Sequence, residues 1–156
     1  MDYTFEQFLI EGANREAHAA AYCVASAPGE SYNPLWIHGE SGIGKTHLLG
    51  AIERELKAYY PGKKISHISL LDVAALQQYP DDSHVLLLDD AEALYHLPTA
   101  FEMVNELMLA ALSEERQVVV AGRYSYSYLH RKQCDHPMLH VPTWLEVGMR
   151  GSEFLC

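Results

Sequence analysis

Eight residues constrain this chain more than any others: Gly39-Glu40-Ser41-Gly42-Ile43-Gly44-Lys45-Thr46 fits the pattern G-x-x-x-x-G-K-[ST]. The context on either side agrees with it. Leu35-Trp36-Ile37-His38 follows Asn33-Pro34 and stops at Gly39, which predicts a buried strand feeding a glycine loop. From Thr46 to Tyr60, Leu48, Leu49, Ile52 and Leu56 recur at helical spacing, and Pro61-Gly62 closes the pattern. A glycine loop between a strand and a helix exposes backbone amide hydrogens to phosphate oxygens, and the positive end of the helix adds to the attraction. In such a loop Lys45 meets the β- and γ-phosphates and the Thr46 hydroxyl ligates magnesium. A glycine turn with a chance Lys-Thr would not require strand, loop and helix to agree.

Strands and helices alternate through the rest of the chain. Asn14 is placed to cap a helix through Ala17, Ala20, Ala21 and Val24 that stops at Pro28-Gly29, with Cys23 expected as a small buried hydrophobe within it. Lys64 to Ser69 reads as a strand, and Asp72 to Gln78 as a brief helix ending at Pro80. His84-Val85-Leu86-Leu87-Leu88 is almost continuously apolar and stops at Asp89-Asp90, the pattern of a parallel strand covered on both faces. Thr99 with Glu102 predicts a capping box for a helix carrying Val104, Leu107, Met108, Ala111 and Leu112. Gln117 to Ala121 is the next strand, Ser125 to Arg131 a short helix, and Met138 to Val141 a last strand before Pro142. The expected fold is therefore α/β: a three-layer domain with a largely parallel sheet flanked by helices over residues 1–141, and a tail over 142–156.

Asp89, at the carboxyl end of an apolar strand about 45 residues beyond the loop, is where a nucleotide-binding sheet places the carboxylate that holds magnesium and its water shell. Asp90 is the candidate to orient an attacking water. The charge balance excludes other classes. Eleven Lys plus Arg against twenty-one Asp plus Glu give a formal net charge of -10, which repels a phosphate backbone, so broad DNA binding by this chain is not expected. No uncharged apolar run approaches the ~18 residues of a membrane span. The opening Met1-Asp2-Tyr3-Thr4-Phe5-Glu6 lacks the basic and apolar regions of a signal peptide, so a cytoplasmic protein is expected. Three widely spaced cysteines, Cys23, Cys134 and Cys156, argue against a disulfide framework.

The segments Tyr3-Thr4-Phe5-Glu6-Gln7-Phe8, Gly12 to Ala20, Tyr32 to Gly39 and Gly42-Ile43-Gly44-Lys45-Thr46-His47-Leu48-Leu49 closely resemble the AAA+ domain of the DnaA/Hda family of bacterial replication initiators and their regulators. Leu86-Leu87-Leu88-Asp89-Asp90 continues the likeness. The resemblance implies that Gly39 through His47 hold the phosphates of ATP or ADP, that Thr46 and Asp89 hold magnesium, and that Ile10 to Asn14 lies near the adenine. It also implies an AAA+ partner, DnaA-like or a second copy of the chain. The sequence departs from the family in ways that bear on activity. Only Leu70 to Ser83 fills the gap where the initiator carries an added helical pair that contacts single-stranded DNA. Ala121-Gly122-Arg123-Tyr124 stands where the family has a polar sensor followed by Asp-Arg-Pro, and Arg131 and Arg150 are the only nearby candidates for an arginine finger. A helical lid and a duplex-reading helix-turn-helix are not expected within these 156 residues. Loss of an arginine finger costs ~10³-fold or more in rate, so hydrolysis by the chain alone is expected to be weak or absent.

Three readings follow: a nucleotide-dependent regulator or adaptor in replication initiation, an active ATPase remodeller or loader, and a scaffold insensitive to nucleotide. The departures favour the first, and intact Lys45, Thr46 and Asp89 count against the third. Two lesser patterns remain. His130, Cys134, His136 and His140 offer four soft donors within eleven residues, a spacing that matches no zinc module and is more simply a group of partly exposed side chains. Tyr124, Tyr126 and Tyr128 alternate with serines, which would make an aromatic face if extended, although packing or a protein interface suits so acidic a chain better.

Overall fold

The computed structural model describes residues 3–8, 10, 12, 14–40, 44–72, 83–132 and 145–149. Its framework is a five-stranded parallel sheet of β1 (Leu35–His38), β2 (Ile65–Ser69), β3 (Val85–Asp89), β4 (Gln117–Gly122) and β5 (Leu145–Gly148), in the spatial order β2-β3-β4-β1-β5. The helices are α1 (Arg15–Ser26), α2 (Lys45–Tyr59), a 3-10 helix (Ala91–His96), α3 (Pro98–Ser113) and α4 (Tyr126–Lys132).

The apolar runs explain the layering. In a strand successive side chains point to opposite faces, so a continuous run must bury both. Leu35, Ile37, Val85, Leu87, Val119 and Ala121 face α1 and α2, together with the inner residues Ala17, Ala21, Val24, Leu48, Ile52 and Leu56. Trp36, Leu86, Leu88, Val118 and Val120 face the opposite side and meet Leu94, Phe101, Val104, Met108 and Leu129 from the 3-10 helix, α3 and α4. The two cores share no residue, and the sheet between them is the middle of three layers. Trp36 is fully buried, as its place in β1 implies, and its indole N–H donates to the Tyr124 carbonyl at 2.9 Å.

Several local expectations are corrected. Asn14 precedes α1 and its carbonyl accepts the His18 amide at 3.0 Å, but its side chain makes no capping bond. Cys23 is exposed, because α1 turns Ala17, Ala20, Ala21, Val24 and Ala25 inward and position 23 falls between those rows. The capping box at Thr99 and Glu102 does not form: Leu97, two residues earlier, takes the cap position and Pro98 the first helical one, where a missing N–H costs nothing. The helix expected over Ser125 to Arg131 does form, as α4, and the tyrosines pack as preferred rather than lining an extended face. α4 begins at Tyr126, which is buried against Trp36 and Phe101, while Tyr124 and Tyr128, four apart, stack with centroids 5.0 Å from each other and lean on Tyr95.

Leu145–Gly148, within the stretch expected as a tail, forms the fifth strand and pairs with β1 from Leu35↔Leu145 to His38↔Gly148. Four residues just after a weakly patterned segment carry too little periodicity to be read as a strand. The strand expected at Met138 to Val141 and the helix expected from Asp72 to Gln78 lie outside the described residues, apart from Asp72, which follows a turn closed by its amide to the Ser69 carbonyl. Among the described residues no helix is long and apolar enough to cross a membrane.

Close packing at the end of β4 fixes the 3-10 helix against the sheet. A Cβ on Gly122 would lie 2.6 Å from Ala91 Cβ and 3.0 Å from its backbone nitrogen, which is closer than atoms can approach. Gly122→Ala is expected to lower unfolding free energy by about 1–3 kcal/mol in urea titration, because overpacking at a rigid backbone contact must shift the 3-10 helix.

Candidate nucleotide site

The carboxyl ends of β1, β3 and β4 lie side by side, and ligands of open parallel sheets bind in the crevice outside such ends. β1 runs out at His38. The Gly39 amide then donates to the Gly122 carbonyl at 3.1 Å, so the loop leaves β1 still attached to β4. Ser41, Gly42 and Ile43 lie outside the described residues. At the far side of the loop Gly44 has φ 110°, a left-handed conformation suited to glycine, and α2 starts at Lys45, one residue before the expected Thr46. A Cβ on Gly44 would also stand 2.8 Å from the Phe8 ring. Gly44 is thus required twice, by its backbone angle and by its neighbour.

Lys45 is 8% exposed. Its ammonium donates to the carbonyl of Gly39 and, at 2.7 Å, to that of Glu40, so the side chain folds back over its own loop. Burial lowers its pKa, and the Glu92 carboxylate is the strongest of the charges that oppose the shift, ahead of Asp89. Glu92 went unnoticed in the sequence because it sits inside a short helix three positions after Asp89, with no motif to mark it. Its carboxylate also accepts the Arg123 amide at 3.2 Å.

The Thr46 hydroxyl donates to Asp89 Oδ2 at 2.8 Å, joining the first turn of α2 to the end of β3. Asp89 is 6% exposed, and its Oδ1 accepts the Asp90 amide at 2.8 Å. Burial raises the Asp89 pKa; the bonds from Thr46 and the Asp90 amide work against the rise. A hydroxyl and a buried carboxylate in contact at the mouth of a phosphate loop suit magnesium, which takes one or two protein oxygens and leaves its other positions to phosphate and water. The residues present therefore fit that ion. Asp90 adopts the left-handed region, with φ 59°, and its carboxylate accepts the Ser69 hydroxyl at 2.5 Å from the end of β2.

An N-terminal strap covers the start of α2. His47 Nε2 lies 2.7 Å from the Thr4 carbonyl, and the His47 ring packs between those of Tyr3 and Phe8. His18 of α1 contacts Phe5 and Phe8, and a Cβ on Gly50 would meet the Tyr3 ring at 2.6 Å. His47 is therefore a clamp between strap and helix. Asn14 is buried and Ile10 exposed at the end of the same segment. Of the other candidates, Arg131 is exposed on α4, while Arg150, Cys134, His136 and His140 and the side chain of His130 lie outside the description. Among the described residues no group of three or more potential ligands is placed to hold a metal ion.

This geometry has counterparts. The family model for the bacterial DnaA ATPase domain matches residues 1–75. The chromosomal replication initiator protein DnaA of Leifsonia xyli subsp. xyli is 52% identical over 133 residues, which are 77% of this chain and 28% of that protein. The chain thus spans less than a third of that relative's length. Domain III of the Thermotoga maritima replication initiation protein DnaA superposes with a TM-score of 0.80 at 26% identity, covering 95% of this chain and 67% of that one. The AMPPCP-bound DnaA of Aquifex aeolicus has a TM-score of 0.73 at 24% identity, over 95% of this chain and 50% of that one, a likeness of fold.

Two outcomes follow from the geometry. A carboxyl whose folded pKa is raised weakens the fold as pH climbs from its unfolded pKa through its folded pKa. Asp89→Asn removes that dependence, so its melting temperature relative to the parent should rise with pH across the carboxylate range and then level; scanning calorimetry at several pH values reads this. His47→Ala should cost about 1–2 kcal/mol of stability and speed amide exchange within residues 3–8, whereas His47→Gln, which keeps a donor for the Thr4 carbonyl, should restore much of both.

Proposed function

Because this chain belongs to the DnaA family of AAA+ ATPase domains, we propose that it binds ATP or ADP with magnesium and uses the bound nucleotide to control a protein contact in bacterial replication initiation. The observation that carries this reading is the Thr46–Asp89 contact, which brings the loop hydroxyl and the strand-end carboxylate to one point beside a buried lysine. In the proposed complex, backbone amides of Gly39 to His47 face the phosphates, and Lys45 exchanges its two loop carbonyls for β- and γ-phosphate oxygens. Thr46 and Asp89 hold the cation. Magnesium, when bound, neutralises phosphate charge and orients the phosphate chain. Asn14, buried where the strap meets α1, is assigned to the nucleoside end on the strength of the family resemblance. The AMPPCP in the Aquifex aeolicus relative supports the choice of an adenine nucleotide.

A regulatory role, rather than independent turnover, is supported by the sequence Ala121-Gly122-Arg123 at the end of β4 and by the exposed position of Arg131. Neither supplies the polar sensor or the fixed arginine of a self-sufficient hydrolytic site. The proposed partner is an AAA+ protein of DnaA type, or a second copy of this chain, that completes the site from outside. Such a partner matters to rate because a supplied arginine is worth ~10³-fold or more in phosphoryl transfer.

Isothermal titration of the 156-residue chain with Mg-ATP and Mg-ADP tests the reading. Binding that needs magnesium and is lost in Lys45→Ala is the expected result, and adding a DnaA-type partner should raise phosphate release above the sum of the separate proteins. No binding, together with melting unchanged by Mg-ATP, would replace this reading with a nucleotide-insensitive scaffold. Turnover by the chain alone that disappears in Asp90→Asn would instead make it an ATPase in its own right.

A further inference from the structure

A groove between the last turns of α1 and α2 takes no part in the phosphate site. It encloses about 350 Å³ and is lined by Tyr22, Ala25 and Ser26 of α1 and by Glu55, Tyr59 and Tyr60 at the end of α2. α2 starts at the phosphate loop and runs for 15 residues, so the groove opens roughly 20 Å away, at the far end of that helix. Its walls are aromatic. Tyr59 is 71% exposed and Tyr22 49%, so two large rings stand largely in water. Tyr22 meets Phe5 edge-on with centroids 5.3 Å apart, and the Tyr60 hydroxyl donates to the Ser26 carbonyl at 2.7 Å. Those two rings are thus held in place before anything binds, which lowers the entropy cost of binding.

The charges at the groove are of one sign. Both helices end here, and the carboxyl end of a helix carries partial negative charge. α1 has no basic residue in its last turn to offset it. In α2 the last-turn Lys57 pairs with Glu53 at 3.6 Å, and Glu53 also meets His67 at 3.6 Å. Glu55 differs: it lines the groove, and among the described residues no hydrogen bond or ion pair engages its carboxylate. Lys63, which is not part of the lining, stands 5.9 Å from the centre of the Tyr60 ring, so that ring already attracts a cation of the chain itself. Negative potential between aromatic walls selects a cation, and most of all a flat, weakly hydrated one.

We propose that this groove receives an arginine side chain of a partner protein, its guanidinium stacking on the tyrosine rings and donating to the Glu55 carboxylate. A planar guanidinium covers a ring face while its N–H groups reach a carboxylate, whereas the lysine ammonium is compact and holds its water. The exposed rims decide between a side chain and a free small molecule. Small-molecule sites bury most of their ligand, but walls as open as Tyr59 and Tyr22 leave one side of the occupant uncovered, which suits a side chain delivered on a partner's backbone. A formal net charge of -10 favours an electropositive partner surface, and arginine and tyrosine are the residues that dominate such contacts. The contact is independent of the nucleotide-binding reading, since the groove shares no residue with the phosphate loop.

Titration of the full chain with N-acetyl-arginine amide, followed by backbone amide resonances, tests the site. The signals of Ser26, Glu55, Tyr59 and Tyr60 should shift saturably in the millimolar range, as one side chain on an open site implies, while those around Lys45 stay in place. N-acetyl-citrulline amide has nearly the same shape without the charge and should leave all of them unmoved at equal concentration. Tyr59→Ala should weaken arginine binding about two- to five-fold, the weight of one exposed cation–π contact, and Glu55→Gln should do so by a similar factor. Glu106→Gln, the same charge change on an exposed position of α3, should have no effect. Because the Tyr59 side chain is exposed, Tyr59→Ala should melt with the parent. No saturable shift overturns the proposal, and so do equal shifts with the two probes or an affinity unchanged in both Tyr59→Ala and Glu55→Gln. Tighter binding of tetramethylammonium than of the arginine probe would also overturn it, by assigning the groove to a small quaternary ammonium ligand. Failure of the chain to bind nucleotide would leave every one of these outcomes standing.

Discussion

Burying the Lys45 ammonium where β1 ends is the constraint to which the neighbouring elements answer. A cation out of water needs acceptors and opposite charge within reach. Two loop carbonyls supply the first, and Glu92 and Asp89 the second. Asp89 is itself buried, and its two oxygens are held by the Thr46 hydroxyl and the Asp90 amide. Thr46 thus ties α2 to β3, Glu92 ties the 3-10 helix to the end of β4, and Ser69 ties β2 to Asp90. α2, β3, the 3-10 helix and β4 are tied together by charge as well as by packing.

That arrangement needs a platform that does not give, and the two apolar cores provide one. The strands bury both faces, with alternate residues committed to opposite layers, so a one-residue slip in register would exchange the two cores wholesale. Glycines are placed where elements meet most closely: Gly122 beneath Ala91, Gly44 beneath Phe8 and Gly50 beneath Tyr3. Two of these contacts carry the N-terminal strap, so a segment far from the loop in sequence becomes part of its wall. His47, adjacent to Thr46, joins the two through the Thr4 carbonyl.

A pattern was legible in the sequence wherever it was local and repeated. The phosphate loop shows because its residues are contiguous and its flanks carry opposite periodicities. The strand ending in Asp89 shows because four consecutive apolar positions, Val85 to Leu88, must be covered on both faces, and all five residues of the strand are buried. Misreadings arose where a short signal had an equally good local alternative. Thr99 and Glu102 satisfied a capping pattern that Pro98 pre-empted, and Cys23 suited a buried place in an apolar helix although it falls on the exposed side of α1. β5 carries four residues, and what makes it a strand is the exposed edge of β1.

The sequence by itself determined the layered α/β class, the loop and the carboxylate that answers it, because these depend on residue type and spacing along one stretch of chain. Only the tertiary structure decided which charges surround the loop. Glu92 and Arg123 lie 31 positions apart, and Ser69 and Asp90 lie 21 apart, in stretches that share no pattern. They meet because parallel strands end together and short helices pack flush across those ends. Electrostatic partnership is set by distance through space, which a one-dimensional pattern does not encode until the sheet has brought the strand ends side by side.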